Sequence, residues 1–578
     1  MWPFSVGFPE HNVANISNQE YDYIIVGGGT AGCVVASRLS ENRDMRVLVI
    51  ERGLVQDTWL SRVPLLSSVT EGSYTTFRNA EGNPGNNQRE TPLYAAEALG
   101  GSSRLNGMIY TRGVPADYNR WAEMGRTNWG WTDVEPYFAK VEAKVQTCQH
   151  PPRFELYDYV DKSASALGLA IDQAANITKR PAFGCFKLDQ TIDKGGYRHS
   201  AFHAYLPIEL AIQRHTHLTV CTNAIVSRLV LDSSRELVTG VYVKPLIHGA
   251  QVSDEVFVKA KREVIISGGA ICTPQILQLS GIGPSSLLNR HHIPVKNDLP
   301  GVGAHLKDHH AVPISLELPF NQTIHLLEKS ILQVIIHILL FLFTGGGWLR
   351  LGVAQSAIFL NTSSLDNNEF IMQPGNTQHD ASKPENIPDV EVLIVPASSV
   401  PKAHPGKSLL SFHTCLTRPE SAGMVEIRST DSETSPTIVL NALADAKDLK
   451  VARKAIRFTL HLAEYFMKKS GYPHKASLFQ APNAGTNRNW RELSDEEIDE
   501  FAMAHITSAF HLGGSCRMAK EEDGGVVDDE LRVYGFRNLR IADASVFPEL
   551  PSAHIMAPIY MVAERCADFI KKPWGNDQ

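Results

Sequence analysis

The strongest apolar patterning in the chain lies between Tyr21 and Gly53. The run Tyr23-Ile24-Ile25-Val26 has the length and β-branched content of a buried parallel strand, and it leads directly into Gly27-Gly28-Gly29-Thr30-Ala31-Gly32. A helical pattern follows through Leu39, with Val34, Val35 and Leu39 among small residues. A second apolar run, Val47 to Ile50, ends on Glu51. Strand, G-x-G-x-x-G, helix, strand and acid make up a dinucleotide-binding order. Gly27 permits the tight turn, Gly29 lets the backbone approach a pyrophosphate, and Gly32 lets the helix pack closely on the strand. The free N–H groups of the first helical turn, at Thr30 and Ala31, point with the helix dipole at the phosphates. Glu51 lies about twenty residues beyond the glycines, where a carboxylate accepts hydrogen bonds from an adenosine ribose. The ending Glu51-Arg52-Gly53 leans toward FAD over NAD.

The remaining pattern is less regular. Residues 1–20 read as a loose arm, and Leu54 to Pro92 as loop-rich ground gathering Gly, Asn, Pro and Ser. A helical piece is predicted around Asp133 to Val145. Short β-like runs follow at Leu218 to Val220, Ala224 to Val226, Gly240 to Val243 and Val264 to Ile266. Gly268-Gly269 and a helix from Thr273 to Leu279 come next, a further α/β crossover that completes the first sheet. Asp389 to Pro396 and Ser408 to Leu416 read as strands, and Ala446 to Lys469 as an amphipathic helix. The most apolar segment, Ser330 to Leu349, has a core from Ile331 to Phe343 that is short for a membrane span and contains Gln333 and His337. Core or subunit packing is its leading reading, with a channel-lining lid and a span as alternatives.

A chain of 578 residues implies two or more domains. With 20% charged and 43% apolar residues it has an ordinary globular composition, and a net charge of −7 argues against nucleic acid as a partner. The eight cysteines are scattered, with no C-x-x-C and no histidine cluster at metal spacing, so reduced thiols and no metal are expected. No secretory signal, peroxisomal tripeptide or prenylation box is visible, and cytoplasmic residence is the expectation.

Three further stretches offer chemistry. Gly100-Gly101-Ser102-Ser103 and Asn106 present N–H, hydroxyl and amide groups suited to flavin or phosphate, or form a polar turn before a helix. His511 sits in the glycine-rich stretch Phe510 to Met518. His554 sits just before a helix running to about Ile570, with Leu539 to Ala544 between them as a strand ending in an acid. Among 22 histidines, residue chemistry alone does not select these two.

Four blocks in order resemble the glucose-methanol-choline (GMC) flavoprotein oxidoreductases: GGGTAG with its acid, ALGGSSRLNGMIYTRG, GAICTPQILQLSGIG, and the tail from FHLGGSCRM through RIADASVFPELPSAHIMAP. The second block departs from its signature at Glu97, where a basic or Asn/Cys residue is usual. The resemblance implies an α/β chain with a Rossmann-like FAD-binding domain and an α+β substrate domain on a mostly antiparallel sheet. The FAD-binding domain would comprise residues 20–60, 93–150, 216–312 and 522–574, leaving 61–92, 151–215 and 313–521 to the substrate-binding domain and lid. By the same resemblance Gly27, Gly29, Thr30, Ala31, Gly32 and Glu51 hold the ADP half of FAD. Gly101, Ser102, Asn106 and Met108 lie along the pyrophosphate and isoalloxazine. Val226 meets the adenine through its backbone, and Asp543, Ala544 and Met556 touch the ribityl chain or the pyrimidine edge. Members with covalent flavin carry a His before the position of Asn106. Leu105 stands there, so attachment through that position is excluded and FAD is expected to be non-covalent.

The resemblance makes His511 the base that takes an alcohol proton while hydride passes to flavin N5, with His554 as its partner. Two nearby imidazoles disfavour double protonation, which keeps one available as base. The expected activity is FAD-dependent oxidation of a primary or secondary alcohol, hydrophobic or aromatic and biosynthetic rather than an extracellular sugar. O2 or another acceptor would reoxidise the flavin, and a homodimer is left open. A lyase of the hydroxynitrile type, a photodecarboxylase and a redox-silent FAD-binding protein are the alternatives on the same scaffold.

Overall fold

The computed structural model describes residues 7–67, 74–149, 154–172, 174–176, 181–232, 236–246, 255–371, 379–398 and 404–572. The start of the expected arm (1–6) and the end of the last expected FAD-binding segment (573–574) lie outside them.

The two apolar runs that open the sequence pattern pair as parallel strands, Glu20–Val26 and Val47–Ile50, with Tyr23 beside Val47 and Val26 beside Ile50. Ile24, Ile25, Leu48 and Val49 are fully buried, as expected for a parallel sheet covered on both faces. Leu218–Cys221 joins one side, and Val256–Ile266 the other, where Leu539–Ile541 adds in parallel. Ala224–Leu231, Val238–Pro245 and Val256–Ile266 form an antiparallel arm of the same eight-stranded sheet. The helix Thr30–Leu39 packs against the C-terminal helix Met556–Lys571. Across that contact Arg38 donates to both oxygens of buried Glu564, at 2.8 and 2.7 Å, and Tyr205 Oη donates to the same carboxylate at 2.8 Å.

The second sheet also has eight strands. Ser477–Gln480, His310–Glu317, Leu409–Leu416, Val390–Val395, Ser356–Leu360, Gly184–Lys187 and Ile171–Asp172 follow in spatial order, with Thr507–Ser508 paired to His310–Glu317. All neighbours are antiparallel except the last two strands. The amphipathic helix Ala446–Lys468 lays its apolar stripe, including Ala455, Phe458, Leu462 and Phe466, into the core beneath this sheet.

Three stretches differ from the sequence pattern. The N-terminal arm is not loose: Glu10–His11 pairs in parallel with Val220–Cys221, and Asn12 caps a turn of helix, Val13–Ile16, whose Val13 and Ile16 are buried. A two-residue strand shows no periodicity. Within Leu54 to Pro92 the strands Thr75–Ala80 and Thr91–Ala96 form a hairpin, concealed by a Gly- and Asn-rich connection between them. The apolar 330s form a helix, Ile331–Thr344, capped by Ser330 and ended by Gly345 at φ 62°. It is not core: only His337 and Phe341 are buried, and eight of its apolar side chains face outward. No helix among the described residues is long and apolar enough to cross a membrane.

Candidate active site

The glycine turn after Val26 has the geometry its sequence requires. Gly27 sits at φ 102°, and a Cβ on Gly32 would fall 1.9 Å from the Gly27 carbonyl oxygen, so helix and strand meet there only without side chains. Gly29 is the N-cap of Thr30–Leu39 and offers no capping side chain. The N–H groups of the first turn, at Thr30, Ala31 and Gly32, therefore have neither an intrahelical nor a capping partner. A Cβ on Gly29 would meet no protein atom nearer than 3.9 Å. Glu51 closes the other side: its carboxylate accepts from the Gly28 N–H at 2.7 Å and the Gly53 N–H at 2.8 Å. Burial pushes its carboxyl up to about 7. An uncapped helix start and a buried carboxylate beside it fit the pyrophosphate and ribose of a dinucleotide.

The Gly100-Gly101 turn lies against this cradle. Gly100 donates to the Gly28 carbonyl at 2.7 Å, and a Cβ on Gly101, at φ 53°, would sit 2.7 Å from the Gly29 Cα. Ser102 is the second residue of the short 3-10 turn Gly101–Arg104, and its carbonyl accepts from the Asn106 N–H at 2.9 Å. Asn106 is held by the fully buried Arg198, which donates to its side-chain oxygen at 2.8 Å and to its backbone carbonyl at 2.7 Å. The Asn106 amide also reaches Met556 Sδ at 3.0 Å and accepts from the Met108 N–H at 3.1 Å, with Met108 at φ 64°. Asn106, Met108 and Met556 thus come together from distant parts of the chain.

Asp543 is buried at the end of Leu539–Ile541, where it accepts from the Gly269 N–H at 2.9 Å, Thr273 Oγ1 at 2.6 Å and the Ser545 N–H at 2.8 Å. Burial raises its carboxyl above the usual range. The Ala544 carbonyl accepts from the Gly514 N–H at 3.0 Å, tying this turn to the loop that carries His511. Val226 is buried opposite Val243, two residues beyond Ala224, whose N–H bonds the Glu51 carbonyl.

The two candidate histidines meet directly. His511 follows the strand Thr507–Ser508 and is anchored by its own N–H to Asp308 Oδ1 at 2.8 Å, while Asp308 also accepts from Ser508 Oγ. His554 is anchored by its N–H to Thr111 Oγ1 at 2.9 Å. His511 Nε2 and His554 Nδ1 are 3.2 Å apart, with the rings edge-on at 88°. Each ring is backed on its far side. His554 Nε2 lies 3.0 Å from Glu391 Oε1, and His511 Nδ1 lies 3.0 Å from His309 Nδ1.

The proton order follows from these partners. The Glu391 carboxylate offers only acceptors, so His554 carries a proton on Nε2. The His309 ring makes its hydrogen bond to His511 through Nδ1, its Nε2 being buried without a hydrogen-bond partner. One hydrogen lies between the two Nδ1 atoms; on His511 it leaves that ring's Nε2 bare, the state a base requires. Burial, then the neighbouring His554, His309 and His413 rings, hold the His511 imidazole well below its ordinary value. Burial also takes His309 down to about 3 and His413 to about 4, and raises Asp308 to about 7.

Sequence reasoning missed Glu391, Asp308, His309 and Arg198. Glu391 had a signal, an acid inside the otherwise apolar strand Val390–Val395. The Asp308-His309-His310 run was visible but not distinguishable from other polar clusters, and nothing local marks Arg198.

The GMC oxidoreductase models match residues 21–311 (N-terminal part) and 419–563 (C-terminal part). The mouse mitochondrial choline dehydrogenase is 30% identical over 97% of this chain and 91% of its own length. The oxygen-dependent choline dehydrogenase of Brucella anthropi is 31% identical over 96% and 98%. Among solved structures, an FAD-dependent oxidoreductase from Chaetomium thermophilum superposes with TM-score 0.81 at 25% identity, covering 96% of this chain and all of that one. Taken with the dinucleotide cradle and the facing imidazoles, these matches make the chain a member of the GMC oxidoreductases, FAD-dependent enzymes acting on CH–OH donors.

Proposed function

We propose that this enzyme oxidises a hydrophobic or aromatic primary or secondary alcohol to the carbonyl, with His511 taking the hydroxyl proton. The observation that carries the reading is the 3.2 Å approach of His511 Nε2 to His554 Nδ1, with His511 Nδ1 turned to His309. An alcohol O–H placed beside the pair donates to a bare His511 Nε2. As the proton passes to that nitrogen, the edge-on His554 ring keeps His511 in position and Glu391, behind it, offsets the positive charge of the pair. FAD, when bound, supplies the hydride acceptor. Gly27, Gly29, Thr30, Ala31, Gly32 and Glu51 hold its ADP half. Gly101, Ser102, Asn106, Met108, Val226, Asp543, Ala544 and Met556 meet the remainder, and Leu105 leaves the cofactor non-covalent.

The apolar substrate class is supported by a row of rings leading to the base. Phe77 packs edge-on against Tyr94 at 5.1 Å, and Tyr94 lies 5.3 Å from Phe510, the residue before His511. All three are substantially exposed, and the row ends at the residue next in sequence to the base. The choline dehydrogenase relatives supply a second reading, a quaternary-ammonium alcohol, which the same rings would hold by cation–π attraction. The division of the chain into FAD-binding and substrate-binding domains is supported by the membership of the two large sheets. A cytoplasmic setting is supported by eight cysteines that are all free.

The experiment is anaerobic mixing of the purified yellow protein with a panel of benzylic, long-chain and choline-type alcohols in the dark. Bleaching of the flavin by the apolar alcohols with carbonyl product bears the reading out. Bleaching by choline alone replaces the substrate class, and turnover without bleaching overturns the oxidation. Peroxide detection beside a dye acceptor assigns the second half-reaction to O2 or to another acceptor.

A further inference from the structure

The helix Ile331–Thr344 is inside out. Its only buried side chains are His337 and Phe341, and His337 stacks on Trp348 at 4.6 Å while accepting the Trp348 N–H at 3.2 Å. Outward it shows eight Ile, Leu and Phe side chains, with exposures from 37% to 80%. At 100° per residue these fan from Ile331 through Leu339 to Leu340 across an arc of about 180°. Gln333, His337 and Thr344 fall together just past its edge. The helix contains no charged residue. Trp59 and Leu60, both exposed, extend the patch, with Trp59 packed edge-on against Phe341 at 6.1 Å. The whole is roughly 1,000 Å², above the ~300–600 Å² of the largest apolar patch on an ordinary monomer.

We propose that this face docks the enzyme onto a lipid bilayer surface, the helix lying in the interface with its outer half immersed among acyl chains. The width of the arc selects the occupant. A helix presented by a second copy covers a stripe of about 100° and leaves both flanks of a half-cylinder in water. A liquid apolar phase covers all of it. Fourteen residues are too short to span a bilayer but suit an interfacial segment. The charges fit a headgroup layer: Lys329 precedes the helix, Arg350 follows it, and no acid lies between them. The nearest acid in sequence, Glu328, lies 3.1 Å from His325 Nδ1, and Arg350 donates to the Gly345 carbonyl at the helix end at 3.0 Å. The opposite, buried face of the helix packs toward the flavin end of the site. Phe341 packs edge-on against Tyr197 at 5.2 Å, next in sequence to the Arg198 that holds Asn106.

The test is sedimentation of the full-length holoenzyme with sucrose-loaded vesicles of phosphatidylcholine containing a minority of phosphatidylglycerol, against a vesicle-free control. Light scattering after size exclusion, without lipid, gives the oligomeric state. Wild type is expected to pellet with vesicles only. The variant Leu332→Glu/Ile335→Glu/Phe343→Glu is expected to bind at least tenfold less while keeping its flavin spectrum and its turnover of a water-soluble alcohol. Leu332→Ser/Phe343→Ser serves as a milder variant should the first not fold. Wild type that remains in the supernatant, variants that bind as well as wild type, or a dimer that the variants dissociate would each overturn the proposal.

Discussion

Replacing Glu391 by Gln isolates the charge behind the histidine pair. Glutamine has the same shape and can still accept the His554 Nε2–H across 3.0 Å, in a site where Glu391 is only 2% exposed. What disappears is one negative charge. Unit charges 4 Å apart interact by about 4 kcal/mol at an effective dielectric of about 20. A proton on His511 lies one ring further away, roughly 7–8 Å, where the figure is about 2 kcal/mol. Acceptance of the alcohol proton should therefore slow about 30-fold. The assay is anaerobic stopped-flow bleaching of the flavin at saturating alcohol across a pH series. The His511 pKa is depressed, so the wild-type rate is expected to be flat around neutrality and to fall only as acid protonates the ring. Loss of the carboxylate lowers the proton affinity of the pair, so in Glu391→Gln the plateau drops while the acid limb moves to lower pH. An unchanged plateau with an unmoved limb would refute the electrostatic role of Glu391.

Other expectations follow from the same geometry. His511→Ala should lower the bleaching rate by about 10²–10⁴-fold with FAD still bound, as rapid mixing and the visible spectrum would show. Gly32→Ala places a Cβ 1.9 Å from the Gly27 carbonyl oxygen and should yield protein that is colourless and cannot be reconstituted with FAD. The raised Glu51 carboxyl stabilises apoprotein at low pH, and that contribution is lost as pH rises through about 7. Ribose hydroxyls donate to the ionised form, so FAD should bind apoprotein about tenfold more weakly at about pH 6 than at about pH 8. Titration of apoprotein at both pH values checks this, and Glu51→Gln should abolish the difference. Arg38→Met strands the buried Glu564 carboxylate with Tyr205 alone and should cost about 3–5 kcal/mol in denaturant unfolding.

The sequence was most informative where one short stretch carries its own constraint. Gly27 and Gly32 could be read because a tight turn and a close helix–strand contact each demand glycine at a fixed spacing. The fully buried strands were legible for the same reason. His511 and His554 became distinguishable only through the family resemblance, since their pairing is made by chain segments that meet only in the fold. Glu391, His309 and Arg198 act through contacts across 163, 202 and 92 residues, a separation that leaves no local pattern. The 330s segment failed as core because hydrophobicity reports what a side chain avoids and not which phase receives it.

The central claim is that an alcohol hydroxyl meets the bare Nε2 of His511 beside the His554 ring. A crystal structure of the holoenzyme with a non-reactive alcohol analogue tests it most directly. The account predicts the analogue's oxygen within hydrogen-bonding distance of His511 Nε2. An oxygen bound elsewhere, with the 3.2 Å contact between the rings intact, would contradict it.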